Sequence, residues 1–246
     1  MTHQFDGHTL PLEKIRVTSD EIKAAYKKIS QEELDALGEA AKRIRLFHER
    51  QKQDSWTYEE GGIVLGQMVR PLEIAGIYVP GGKASYPSSV LMNAIPAKVA
   101  GVKQIVMCSP FPEGQTRPHV LVAADLAGVT EIYKIGGAQA VAAMAFGTDT
   151  IPRVDKIVGP GNIFVALAKR LVFGIVDIDM IAGPSEILIV ADHSANPSYV
   201  AADLLSQAEH DEDAVPILVT PDEALAEDVK KAVSYTHLTL PTILLV

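Results

Sequence analysis

The chain has a single cysteine, Cys108, in 246 residues, which excludes an intrachain disulfide and any metal knuckle of the CxxC type. A lone thiol in a protein of this size fits a reducing compartment. A basic excess is also missing: 22 Lys and Arg stand against 31 Asp and Glu, a formal net charge of −9. Nucleic-acid binding works by displacing counterions with a basic stripe, so no nucleic-acid partner is expected. Long hydrophobic runs are absent as well. The most apolar region, "NIFVALAKRLVFGIVDIDMIAG", is broken by Lys169, Arg170, Asp177 and Asp179, and nothing approaches the ~18 apolar residues of a membrane span. The opening "MTHQFDGHTLPLEK" sets no apolar stretch behind a basic cap, so it does not read as a signal peptide. Neither a GxGxxG fingerprint nor a GxxxxGK[ST] phosphate loop occurs. A cytoplasmic protein with no membrane partner is the expectation.

What is present is an ordinary globular mixture, 48% hydrophobic and 22% charged, long enough to bury a core. The first fifty residues have a helical, highly charged pattern. "SQEELDALGEAAKRIRLFHERQ" opens with Ser30 and Glu33 in a capping-box arrangement. Leu34, Leu37, Ala41 and Ile44 then recur at helical spacing. "SWTYEEGGIVLGQMV" reads as extended segments turning at Gly61–Gly62.

From Ile74 onward short apolar runs alternate with helical segments: "IAGIYV", a helix through "VLMNAIPAKVAG" capped by Ser88 or Ser89, "QIVMCS", "VLVAADLAG", "EIYKIGG", "AQAVAAMAFG", "KIVGPGN", "IFVALAKRLV", "EILIVAD", "SYVAADLLSQAEH" and "VPILVT". A last helix opens with Thr220 as N-cap and Pro221 in its first turn. Continuous apolar strands separated by helices imply a mostly parallel sheet covered on both faces. The closing "SYTHLTLPTILLV" breaks the helical period without a cap. It reads either as an apolar terminal strand or, the reading preferred, as a non-native tail over 234–246.

In open α/β sheets ligands sit at the carboxyl ends of strands, so the turns that follow strands are the places to look. Four are unusual: "YVPGGKASYPSS" from Tyr78, "GGAQA" with Gln139 in the first helical turn, "GPGN" with Asn162 at a helix start, and "AGPSE" with Ser185. Taken singly, glycines at strand ends more often serve a tight turn than a ligand. In "SQAEH", Gln207 and His210 stand three residues apart and share a helical face. Two donors fall short of the three or four a metal needs, and spacing alone favours a plain helix end. Cys108 closes an apolar strand and reads as a small buried hydrophobe, not a nucleophile.

Taken in order, "IYVPGG", "VLMNAIPAKVAGV", "IGGAQAVAAMAFGT", "VDKIVGPGN", "DMIAGPSEILIVAD" and "VAADLLSQAEH" resemble histidinol dehydrogenase, from about Phe5 to about Val233. The resemblance implies a zinc-containing, NAD-dependent oxidation of L-histidinol to L-histidine through an aldehyde, in a cytoplasmic homodimer of histidine biosynthesis. By motif it places Tyr78, Gln139 and Asn162 against NAD and Ser185 against the substrate. Gln207 and His210 would ligate zinc and approach the substrate. The family's acid–base Glu-His pair and its remaining zinc ligands have no counterpart here, and His237 matches no family motif. No catalytic residue is therefore assigned, and the chain reads as an interior fragment, inactive by itself.

The implied fold class is α/β, with incomplete Rossmann-like doubly wound parallel sheets in two units and an N-terminal helical segment. The expected grouping joins residues 1–77 to 186–233 and makes 78–185 a second, NAD-contacting unit. Two rival functions remain: a paralogous dehydrogenase of polyols or sulfonated diols, and a non-catalytic NAD-binding pseudoenzyme.

Overall fold

A computed structural model describes residues 7, 10–81, 86–181, 186–208 and 214–235. Contacts divide the chain into Met1–Ile181 and Ala182–Val246, and each unit is taken by itself.

The first unit opens with α1 (Ser19–Tyr26) and α2 (Gln31–Glu49). Both start on a full capping box. The Ser30 hydroxyl accepts from the Glu33 amide at 3.2 Å while the Glu33 carboxylate accepts from the Ser30 amide at 2.7 Å. Thr18 and Glu21 repeat the exchange. Each pair satisfies two of the four amides that a helix start leaves unpaired. The expected apolar stripe of α2 is real: Ala41 is buried, and Leu34, Leu37 and Ile44 pack on the main core. Next come β1 (Trp56–Glu60) and β2 (Ile63–Gln67), antiparallel from Trp56↔Gln67 to Glu60↔Ile63. Gly61 and Gly62 turn between them at φ +60° and +78°. Two successive left-handed residues match the twist of a two-residue hairpin and select glycine.

Five parallel strands follow: β3 (Ile74–Tyr78), β4 (Gln104–Ser109), β5 (Glu131–Lys134), β6 (Lys156–Val158) and β7 (Asp177–Ile178). Their connecting helices are α3 (Pro87–Ala100), α4 (Pro118–Ala127), α5 (Gly137–Phe146) and α6 (Ile163–Val172). The spatial order is β5-β4-β3-β6-β7. The two-residue period of a strand assigns the faces. Ala75, Ile77, Ile105 and Met107 point into one core with Leu91, Ile95 and Leu121 of α3 and α4. Tyr78, Val106 and Cys108 point into a second core with Val141, Met144 and Val165 of α5 and α6. Both faces are therefore buried, which is why these strands read as unbroken apolar runs. Each large aliphatic side chain so buried contributes about 1.5–3 kcal/mol.

The N-terminal helices belong to this layer. The Tyr26 hydroxyl donates to the Asp125 carboxylate of α4 at 2.7 Å, and Lys134 of β5 pairs with Glu21 of α1. The contacts thus put residues 1–77 with 78–181, a different division from the expected pairing of 1–77 with 186–233. The apolar stripe of α2 is covered by the α3 side of the sheet.

The second unit holds β8 (Glu186–Val190) and β9 (Val215–Val219), paired in parallel, with α7 (Pro197–Ala208) and α8 (Glu223–Tyr235). Val200, Leu204 and Leu205 of α7 meet Leu225, Val229 and Val233 of α8 in a small core. Ser234 still belongs to α8, its hydroxyl donating to the Lys230 carbonyl, while 236–246 lie outside the described residues.

Two expected caps are corrected. Ser88 and Ser89 lie inside α3, because Pro87 takes the first helical position and moves the start back to Tyr86. The start of α8 is capped by Asp222, whose carboxylate accepts from the Ala224 and Leu225 amides. Thr220 instead accepts from the Asp222 amide, one turn earlier. Among the described residues no helix is long and apolar enough to cross a membrane.

Candidate functional site

The strand order reverses at β3, which has β4 on one side and β6 on the other. Such a reversal splays the connecting turns apart and opens a crevice outside the carboxyl ends of the two strands. Tyr78 ends β3 there, buried to 3% exposure. Its hydroxyl accepts from the Gly137 amide at 3.0 Å, at the start of α5. Its carbonyl lies so near Gly159, just past β6, that a Cβ on that glycine would come within 2.1 Å of the oxygen. Tyr78 therefore touches both of the other glycine turns.

Gln139 stands in the first turn of α5, half-buried. A Cβ on Gly137 would meet its Oε1 at 3.0 Å, so the amide folds back over the turn. Asn162 is the N-cap of α6, and its Oδ1 accepts from the Val165 amide at 3.1 Å. That bond commits the acceptor end of the side chain to the helix and leaves its NH2 end, a pure donor, for other partners. The starts of α5 and α6 also carry the positive ends of helix dipoles and suit an anionic group. The three residues expected to contact a dinucleotide thus lie on three turns along one rim of the sheet. The glycine cradle and donor set fit a dinucleotide.

Charged side chains that no motif marks stand behind these turns. Lys169 of α6 is 1% exposed, and its ammonium donates to the Gly159 carbonyl at 3.0 Å and to the Asp179 carboxylate. Asp179 accepts from the Gly159 amide at 2.8 Å and from the Met180 amide at 2.7 Å. A signal was there: Lys169 falls on the same helical face as the buried Val165, Ala166 and Val172, where a lysine needs a reason. Arg117 was also missed. Its guanidinium donates to the Gly81 carbonyl at 3.0 Å, in the turn that leaves β3. Cys108 lies opposite Tyr78 in the β3–β4 register. It is fully buried, and burial pushes its thiol far above the ordinary range, so it stays protonated and inert.

On the expected metal side, Gln207 sits in the last turn of α7, half-buried. His210 and Ser185 lie outside the described residues. Among the described residues no group of three or more His, Cys, Asp and Glu side chains is placed to hold a metal. One amide oxygen does not make a zinc site.

A doubly wound parallel sheet with glycine turns at its reversal point defines a Rossmann-type α/β protein. The family model described as histidinol dehydrogenase matches residues 1–243, a span that runs into the segment read as a non-native tail. The chain belongs to the histidinol dehydrogenase family. It is 61% identical over 240 residues to the histidinol dehydrogenase of Syntrophotalea carbinolica, covering 97% of this chain and 56% of that protein. It is 63% identical over 216 residues to that of Geobacter sulfurreducens, covering 87% of this chain and 50% of the relative. The crystal structure of histidinol dehydrogenase from Elizabethkingia anophelis superposes with a TM-score of 0.90 at 47% identity, over 98% of this chain and 56% of that one. The chain spans about half the length of the curated relatives it matches.

Proposed function

We propose that this chain carries the dinucleotide-binding portion of an NAD-dependent, zinc-containing histidinol dehydrogenase, which oxidises L-histidinol to L-histidine through the aldehyde. The supporting observation is the rim at the strand reversal, where Tyr78 joins the Gly137 and Gly159 turns. The nicotinamide ring, when bound, supplies the hydride acceptor for both oxidation steps. This chain's own part is to bind and orient. Tyr78 holds two turns in register, Gln139 offers an amide over the start of α5, and Asn162 offers donors from the start of α6. Ser185 would meet the substrate, and Gln207 and His210 would give zinc two of its ligands and approach the substrate. In this reading the complete enzyme is a cytoplasmic homodimer of histidine biosynthesis. The present chain, half the length of its relatives, does not turn over substrate alone.

Calorimetric titration with NAD, using the chain and its Asn162→Asp variant, tests the proposal. Aspartate caps a helix as well as asparagine does, so thermal stability should hold. It replaces the amide donors with a carboxylate, and NAD affinity should fall about tenfold, the worth of one well-placed hydrogen bond. Absence of NAD binding by the unsubstituted chain would refute the reading. A parallel assay of NADH release from L-histidinol with added zinc should show no turnover.

A further inference from the structure

Lys169 and Asp179 converge on one residue, Gly159. The ammonium holds the Gly159 carbonyl at 3.0 Å, the carboxylate holds the Gly159 amide at 2.8 Å, and the two charges pair with each other. Gly159 is buried and sits at φ +115°, pressed against the last carbonyl of β3. Stability alone is a poor reason for this arrangement. A methionine at 169 would pack among Val165, Ala166 and Val172, and replacing a buried ion pair by apolar groups is often neutral or stabilising. What the pair does, and a methionine would not, is fix both polar groups of one residue at once.

We infer that Lys169 and Asp179 are positioning residues for the dinucleotide: they clamp Gly159 and so set where the 159–162 turn presents Asn162 and the start of α6 to the crevice. Asp179 follows directly on β7, so the carboxyl end of one strand braces the turn that leaves its neighbour. Lys169 reaches the same turn from within α6, the helix that the turn begins. The clamp thus ties the first residue of the turn both to the helix that follows it and to the neighbouring strand. The consequence for binding rests on the NAD reading above; the clamp itself does not.

The test uses the full chain and three variants: Lys169→Met, Asp179→Asn and the double variant. Asparagine keeps the size of the side chain but has one acceptor oxygen where the carboxylate has two, so one of the Gly159 and Met180 amides loses its partner. Each single variant should weaken NAD binding on the order of tenfold, as expected for loss of an oriented contact. The double variant should be no weaker than the worse single one, because both act through one clamp. It also leaves no buried charge unpaired, so it keeps the test open if a single variant fails to fold. Amide exchange should quicken from Gly159 to Val165 while β4 stays protected, a local response that general destabilisation would not produce. A folded double variant with unchanged NAD affinity and unchanged exchange at Gly159 would overturn the inference. If the unsubstituted chain binds no NAD, the functional reading fails, and the exchange comparison alone then upholds or overturns the clamp.

Discussion

Replacing Gly159 by alanine puts a methyl where the fold has no room. The residue stands at φ +115°, a region that side chains enter only at a cost of about 1–3 kcal/mol. The new Cβ would lie 2.1 Å from the Tyr78 carbonyl oxygen and 3.1 Å from its carbon. Ordinary non-bonded separation is about 3.5–4.0 Å, so the turn has to move by more than ~1 Å. Backbone faces the methyl, and no side-chain rotation relieves the contact. The shift strains the 2.8 Å bond to Asp179 and the 3.0 Å bond from Lys169. Losing one bond of this charged kind costs about 1.5–3 kcal/mol. Together the terms give about 2.5–6 kcal/mol. For a domain of 150–250 residues each kcal/mol moves the midpoint by about 2–4 °C, so a fall on the order of 10 °C is expected. Gly38→Ala is the control. That glycine lies inside α2 with nothing within 4 Å of its missing Cβ, and alanine there should stabilise by about 0.5–1 kcal/mol. Far-UV circular dichroism during thermal and urea unfolding reads both variants. A loss below ~1 kcal/mol at position 159 would refute the close-approach argument.

Cys108 is fully buried with its thiol pushed up by desolvation, so a thiol reagent should label it only at the rate of unfolding; rapid labelling of the native chain would contradict that burial. Glu33 accepts from the Ser30 backbone, from His119 and from the Ser30 hydroxyl, which together lower its carboxyl from 4.5 to about 2. A depressed carboxyl stabilises the fold fully above its unfolded value, and the contribution disappears as pH falls from about 4.5 towards about 2. Unfolding midpoints across that range should fall less steeply for Glu33→Gln than for the unsubstituted chain, and equal acid slopes would exclude the effect.

Much of the architecture is legible in local pattern. The Ser30–Glu33 box, the Gly61–Gly62 hairpin and the limits of α6 follow from spacing and turn chemistry, because their hydrogen bonds close within a few residues. The caps at Ser88 and Thr220 were misplaced because more than one capping residue stands near each helix start, and only three-dimensional bonding selects among them. Strand order lies beyond local pattern altogether. The start of β3 is fastened to the segment before β6 by the Asp155 carboxylate, across a separation of 82 residues. The packing of α1 and α2 on the sheet escaped for the same reason. An apolar stripe says that something covers it and not what does. At the rim, Tyr78, Gln139 and Asn162 were marked by glycine turns and by family resemblance. Lys169 and Asp179 were read only as interruptions of an apolar run, since the carbonyl and amide they serve carry no side-chain signature.

Five strands running the same way also give this sheet a direction. Every strand end that feeds a helix lies on one rim, while Ile77, Ile105 and Ile157 lie completely buried between the helical layers. Exposed positions of the rim turns, such as Pro160, can change what the rim presents to a ligand, whereas Gly159 serves the rim and the packing at once. Freedom to vary is therefore uneven along the rim: the exposed turn positions carry it, and the buried Tyr78 and Gly159 do not.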